Sequence, residues 1–290
     1  MISKSLVNSF KYLSRLPQHP FSSYASFSSN SIRKLVPPYH FPGELEASQK
    51  PSEIFKHRIE IAKPSDANKI LKFLEKNFFC HDPLCKSLNL CEKKLETPFE
   101  DYIKCILSQG MSLIAHENTR ENQVLGICVN QKNCKWHGNL LEEYAEFTDD
   151  ENFKKFLRIQ ALMSRAPAMH EFLSQLMIFN LAFLSSRKDH QNIAMELAEF
   201  SLNLARDMNF SFARFDCTNE ESMKLARKLR GIELWKTNYK YVISAENKQP
   251  VVTPESPNTH AASYYINLKL MPVVETYVGR RFKPVSANDD

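Results

Sequence analysis

Leu176–Ser185 (LMIFNLAFLS) constrains this chain more than any other stretch. It is almost continuously apolar and only strand-sized. A strand with one wet face would alternate, so this pattern predicts a strand covered on both faces. Such a strand needs a layer above and a layer below. The chain after it supplies them in turn. Gln191–Met208 places Ile193, Leu197, Phe200 and Leu204 at three- and four-residue spacing, which predicts an amphipathic helix. Phe210–Cys217 reads as a strand. Thr218–Arg230 reads as a helix opened by a Thr218-to-Glu221 capping box. Ile232–Ser244 and Tyr264–Leu270 read as closing strands.

The residues before the buried run extend the same pattern. His57–Lys63 (HRIEIAK) alternates as a strand. Ser65 is placed to cap a helix reaching about Phe79, with Ile70, Leu74 and Phe78 on one face. Thr97-Pro98-Phe99-Glu100 reads as a capping box with an early proline, opening a helix to Gln109 that Gly110 ends. Met111–Glu117 and Val124–Asn130 predict a hairpin across the polar stretch Asn118–Gln123. Residues 139–175 read as helical, interrupted near Pro167. No internal repeat is visible. The order predicts an α/β fold, one mixed sheet with helices on both faces, over residues 57–272. Pro37-Pro38, Pro42-Gly43 and Pro51-Ser52 mark residues 37–56 as a linker. Residues 273–290 form a C-terminal tail.

Charge and cysteine usage narrow the function classes. The net charge is +5 over 290 residues. Lys4, Lys11, Arg15, Arg33 and Lys34 account for all of it, because residues 1–43 hold no acid. The remaining body is neutral, which gives no electrostatic footing for nucleic-acid binding. The basic segment is serine-rich, with Leu6, Phe10 and Leu13 at helical spacing. Residues 1–36 therefore read as a mitochondrial transit peptide or, alternatively, a disordered basic tail on a cytoplasmic protein. No apolar run reaches the roughly 18–20 residues that span a bilayer. The seven cysteines have no CxxC pair and no zinc-knuckle spacing. They predict reduced thiols in an intracellular compartment and no metal site.

Four local stretches, in this order, resemble the insect-type arylalkylamine N-acetyltransferases of the GNAT superfamily. Phe78-Phe79-Cys80-His81-Asp82-Pro83-Leu84 is similar to their FFxxEPL segment. Met111–Ala115 with Val124-Leu125-Gly126 is similar to their SLxA…IVG hairpin. Cys217-Thr218-Asn219-Glu220-Glu221-Ser222 resembles their C-S/T-x-x-x-S turn, and Pro257–Ala261 their PPPHxxA lead into the last strand. The resemblance covers roughly residues 57–272. It implies a GNAT fold, acetyl-CoA as cosubstrate and a small primary amine, such as an arylalkylamine, as acceptor. It also implies a pyrophosphate site between the central strand and its helix, where free N–H groups and the helix dipole hold the anion. The matching residues are Asp189, His190, Gln191, Asn192, Ile193 and Ala194. Asp189 stands where the family has a cation or an amide, and Asn192 where it has glycine. Asp189 is expected to repel the phosphates, with Arg187, Lys188 and His190 as offsets.

Acetyl transfer needs a neutral amine, so a base must take its proton. The resemblance puts Asp82 in that role, with His81 as a neighbouring candidate. Asp82 equally suits a turn before Pro83. Ser222 matches the position that protonates the departing thiolate, and Thr218 a further active-site hydroxyl that also caps a helix. A backbone N–H near Phe183 and Leu184 is expected to polarise the acetyl carbonyl. Phe78, Phe79, Tyr144, Phe147 and Phe172 are candidate walls of the acceptor pocket, with Glu142, Glu143 and Glu146 as attractants for an amine. Cys217 reads as packing. The competing expectation is a GNAT-fold binding module whose CoA site has degenerated. A different acyl group or acceptor, such as a protein N-terminus or glycine, is a third reading.

Overall fold

The computed structural model describes residues 57–271 apart from 92, 119–122 and 245–247. The expected N-terminal segment, the linker and the tail after residue 272 lie outside the described residues. Seven strands form one sheet: β1 (His57–Ile61), β2 (Leu113–Glu117), β3 (Val124–Cys134), β4 (Met177–Ser186), β5 (Phe212–Cys217), β6 (Ile232–Asn238) and β7 (His260–Asn267). Their spatial order is β1-β2-β3-β4-β5-β7-β6. β4 and β5 run parallel and the other neighbours antiparallel. The buried run thus becomes the central strand.

The helices are α1 (Ala67–Phe73), α2 (Pro83–Ser87), α3 (Thr97–Leu107), α4 (His137–Glu146), α5 (Glu151–Arg165), α6 (Met169–Phe172), α7 (Asn192–Asp207) and α8 (Glu220–Lys228). On one face, Phe179, Leu181, Ala213 and Phe215 pack with Leu197, Leu202, Met223 and Ala226 of α7 and α8. Each large apolar side chain fully buried there contributes about 1.5–3 kcal/mol. Gly126 lets α7 approach the sheet: a Cβ there would lie 2.8 Å from Ile193 Cγ2 and 2.9 Å from Leu197 Cδ1. On the other face, rings of Phe78 and Phe99 meet Phe183 of β4 edge-on at 5.4 and 5.7 Å. Phe79, Phe153 and Phe156 continue that aromatic core.

Four local expectations are corrected. Ser65 lies inside a 3-10 turn, and the Asp66 carboxylate receives the Lys63 N–H instead. The first helix changes at Leu74–Phe78 into a wider π turn. Thr97 is the first residue of its helix, without a capping box, and Glu96 turns away to accept the N–H groups of Asp149 and Asp150. Cys80 and Cys91 form a disulfide, so the thiols are not all reduced. The chain turns back between these two residues and brings their Cα atoms to 4.3 Å, a proximity that spacing alone does not reveal. Cys85, Cys105, Cys128, Cys134 and Cys217 are free.

Candidate active site

β4 and β5 are paired only through Phe179–Ala213, Asn180–Arg214 and Leu181–Phe215, although β4 continues to Ser186. The reason is visible on the opposite edge. Val129 faces Phe183 and Asn130 faces Leu181, which leaves Ala182 without a counterpart in β3. Such a bulge bends its strand. β4 and β5 part there, and a narrow cleft enters the gap. Asn180–Phe183 and Asp216 form its sheet wall; Tyr102, His137 and Phe156 stand on the helical side.

Several polar groups of this cleft are tied to one another or to their neighbours. Tyr102 donates to Gln131 Oε1 at 3.1 Å, and Gln131 Nε2 lies 3.1 Å from His137 Nε2. Since the Gln131 amide nitrogen can only donate, His137 Nε2 is the acceptor. Burial holds His137 down at about 3, helped by the charge of Arg214, so the ring is neutral. Arg214 is fully buried. It donates to Asp216 Oδ2 at 2.8 Å, to Ser164 O at 3.1 Å and to Met163 O. Ser263 donates to the other Asp216 oxygen at 2.6 Å. Sheet and α5 are thereby locked together beneath the cleft.

At the end of β5, outside the lining of the cleft, Asp82, Thr218 and Ser222 come together. Asp82 is buried and opens α2, its Oδ1 accepting the Cys85 N–H at 3.0 Å. Its Oδ2 accepts from the Thr218 hydroxyl at 2.6 Å and from Asn219 Nδ2 at 2.8 Å. The carboxylate that makes the turn before Pro83 is thus also the one that holds Thr218 and Asn219. Thr218 does not cap α8. Asn219 does, being fully extended there, with its side chain accepting the Ser222 N–H at 2.8 Å. The Ser222 hydroxyl donates to Asn219 O at 2.8 Å and closes the cap. Ser222 thus reaches Asp82 only through Asn219. Tyr239 adds a bond from its hydroxyl to Thr218 O at 2.9 Å. His81 donates from Nδ1 to Asn77 O at 2.8 Å, which leaves Nε2 as its basic nitrogen. Burial pushes the Cys217 thiol well up, in keeping with a packing role.

The loop from β4 to α7 differs from expectation in its charges. Arg187 clasps Asp189 with two bonds, at 3.1 and 2.7 Å, and Gln123 with a third at 3.0 Å. The Arg187 bond, which favours the charged form, holds the Asp189 carboxyl below its ordinary range. The expected repulsion is thus largely cancelled, but Arg187 is occupied in cancelling it. Asn192 is the first residue of α7 and adopts no left-handed angles, so glycine's conformational freedom is not needed there. No side chain caps this helix end, and Gln191 and Asn192 are exposed. Ile193 is a core residue, and only its backbone is available to a ligand. Phe183 is buried beside the cleft and Leu184 half-buried, each facing β3 through Val129 and Cys128.

The expected aromatic residues stand elsewhere than this cleft. None of Phe78, Phe79, Tyr144, Phe147 and Phe172 lines the cleft; Phe79 is core, and Phe147 and Phe172 face solvent. Glu142 and Glu146 bind Arg165 and Arg158 on the surface rather than an amine. The polar residues that line it include Tyr102, Gln131, His137, Asn180 and Asp216, which no motif in the sequence marks. Their signal was polarity inside runs that otherwise read as apolar. Among the described residues, no group of three or more His, Cys, Asp or Glu is arranged to hold a metal. Nor is any of their helices long and apolar enough to cross a membrane.

The fold is that of the GNAT acetyltransferases. An arylalkylamine N-acetyltransferase 2 from Aedes aegypti superposes with a TM-score of 0.65 at 21% identity, over 73% of this chain and 99% of that one. A mosquito arylalkylamine N-acetyltransferase-like protein 5b gives 0.66 at 14% identity, with the same two shares. The Drosophila melanogaster polyamine N-acetyltransferase gives 0.63 at 16%, again over 73% and 99%. No family model and no curated protein matches the chain by sequence.

Proposed function

We propose that this protein is an acetyl-CoA-dependent N-acetyltransferase acting on a small primary amine such as an arylalkylamine. The observation that carries the reading is the parting of β4 from β5 at Ala182, with a cleft entering the gap. Backbone groups of β4 beyond Leu181 that point toward β5 have no strand partner, so an N–H near Phe183 and Leu184 is free to polarise a carbonyl. The uncapped start of α7, with Lys188 and His190 beside it, suits the pyrophosphate of acetyl-CoA. The amine nitrogen attacks the acetyl carbon, the carbon–sulfur bond breaks, and the amine's proton passes to Asp82, directly or through water. Ser222 is the donor to the leaving sulfur. Thr218 and Asn219 hold the Asp82 carboxylate in one orientation.

The occupied state of Arg187 favours a second reading, a non-catalytic binding module with a weakened CoA site. Incubation of the purified protein with acetyl-CoA and a panel of arylalkylamines and polyamines, read by free thiol release, separates the two. Amine-dependent thiol release supports the enzyme; its absence with every amine leaves the binding module. We further propose that residues 1–36 direct the chain to mitochondria, against a cytoplasmic alternative. A fluorescent fusion of residues 1–45 that stays diffuse in the cytosol would overturn that.

A further inference from the structure

Asn180 sits in the middle of the most apolar strand of the protein, 5% exposed, with its side chain in the wall of the cleft. Its Oδ1 has no hydrogen-bond partner. The neighbouring polar groups on the sheet side are already committed, and Gln160 and Ser164 complete the polar lining from the helical side. Gln131, its direct cross-strand neighbour, spends its amide on Tyr102 and His137. Asp216 spends both oxygens on Arg214 and Ser263. A buried acceptor left unpaired is a cost that native proteins rarely carry without use. In a cleft wall, the simplest use is a donor that arrives with a ligand.

We infer that Asn180 sets acceptor specificity, its Oδ1 receiving a hydrogen bond from a neutral donor, a hydroxyl or an amide N–H, carried by the amine substrate. This rests on the acetyltransferase reading and adds the substrate class. The electrostatics of the cleft select the neutral donor. Its one lining carboxylate, Asp216, is matched by the buried Arg214, and the neutral His137 ring offers no anion. A second ammonium or guanidinium pushed into this wall would lose its water and find no counter-charge. A phenolic hydroxyl loses less and gains Asn180.

The test uses the full chain, acetyl-CoA and three amines: 2-phenylethylamine, its para-hydroxy analogue and 1,4-diaminobutane. The wild type should favour the hydroxylated amine over the plain one by about 10- to 100-fold in kcat/KM, the range for satisfying or stranding one buried acceptor. Asn180→Leu should shrink that ratio to within about threefold. Asn180→Asp should raise use of the diamine relative to the phenolic amine, because a carboxylate supplies the missing counter-charge. Melting separates specificity from support of the fold. Removing a stranded acceptor should leave the Asn180→Leu midpoint unchanged or higher, whereas a lower midpoint with the ratio intact makes Asn180 structural and overturns the inference. A wild type that acetylates plain and hydroxylated amines equally, or prefers the diamine, overturns the inference alone. A wild type that turns over none of the three, nor any other amine, overturns the acetyltransferase reading and this inference with it.

Discussion

The cleft at Ala182 and the loop 187–194 adjoin the same strand, yet they are built in opposite ways. In the cleft, Tyr102, Gln131, His137 and the Arg214–Asp216 pair are held by hydrogen bonds to one another or to their neighbours, and Asn180 Oδ1 is left over. The loop is exposed, carries charged side chains, and balances Arg187 against Asp189 within three residues. A preorganised site is held by groups that cannot leave their partners, so its chemistry is set before a ligand arrives. A self-compensated loop has to exchange an internal ion pair for a ligand's phosphates. On the proposed function, the contrast places selectivity on the side of the cleft and makes cofactor affinity the adjustable quantity.

The strongest test of the contrast removes the base. Asp82→Asn should lower turnover by about 10²- to 10⁴-fold, the usual share of a general base, while acetyl-CoA still binds. Full activity in Asp82→Asn together with loss in His81→Ala would move the base one residue back, to the free Nε2 of His81. Next in size, Arg214→Met should strand Asp216 and two carbonyls under the cleft. Breaking a buried pair in this way costs about 3–5 kcal/mol. At roughly 2–4 °C per kcal/mol, thermal denaturation should shift down by about 6–20 °C. An unchanged midpoint would mean the cleft is not held from below.

The loop gives smaller effects. Acetyl-CoA at 100 times its dissociation constant stabilises the folded state by about 2.7 kcal/mol, hence a melting rise of roughly 5–11 °C. No rise at millimolar ligand would mean the loop no longer holds CoA. Smallest of all, Asp189→Asn frees Arg187 for the phosphates and should tighten CoA by about two- to fivefold, the scale of one exposed charge at a helix start. Looser binding in a titration would show that Asp189 is needed to pose Arg187. Asn192→Gly changes no backbone angle, so any gain it brings reports closer approach of the ligand.

Much of this was legible in the sequence because periodicity reports burial. The run at Leu176–Ser185 gave the central strand, and the pattern after it gave α7, β5 and α8 in order. Resemblance brought Asp82, Thr218 and Ser222 into one site, and the folded chain does gather them. The cap was misassigned because Thr218 and Asn219 are both good capping residues, and only the backbone angles at Asn219 and the competing claim of Asp82 decide between them. The lining of the cleft was hidden for a different reason. Gln131, Asn180 and Asp216 come from three strands and become neighbours only through sheet register. The aromatic candidates stand away from the cleft, because ring content alone does not say which rings pack on each other and which face a gap.

The Cys80–Cys91 bond has a consequence for the candidate base that concerns chain topology rather than chemistry. It turns the segment carrying Asp82 into a closed ring with a sequence separation of 11. In the chain-entropy picture, closing a ring of that size spares about 3 kcal/mol of disorder in the unfolded chain. With the ring closed, Asp82 is handed to Thr218 and Asn219 already confined to a small volume. With it open, those two hydrogen bonds must do the confining themselves. Opening the ring therefore lowers the stability of the folded segment that carries Asp82, while the bonds to Thr218 and Asn219 stay the same once it is folded.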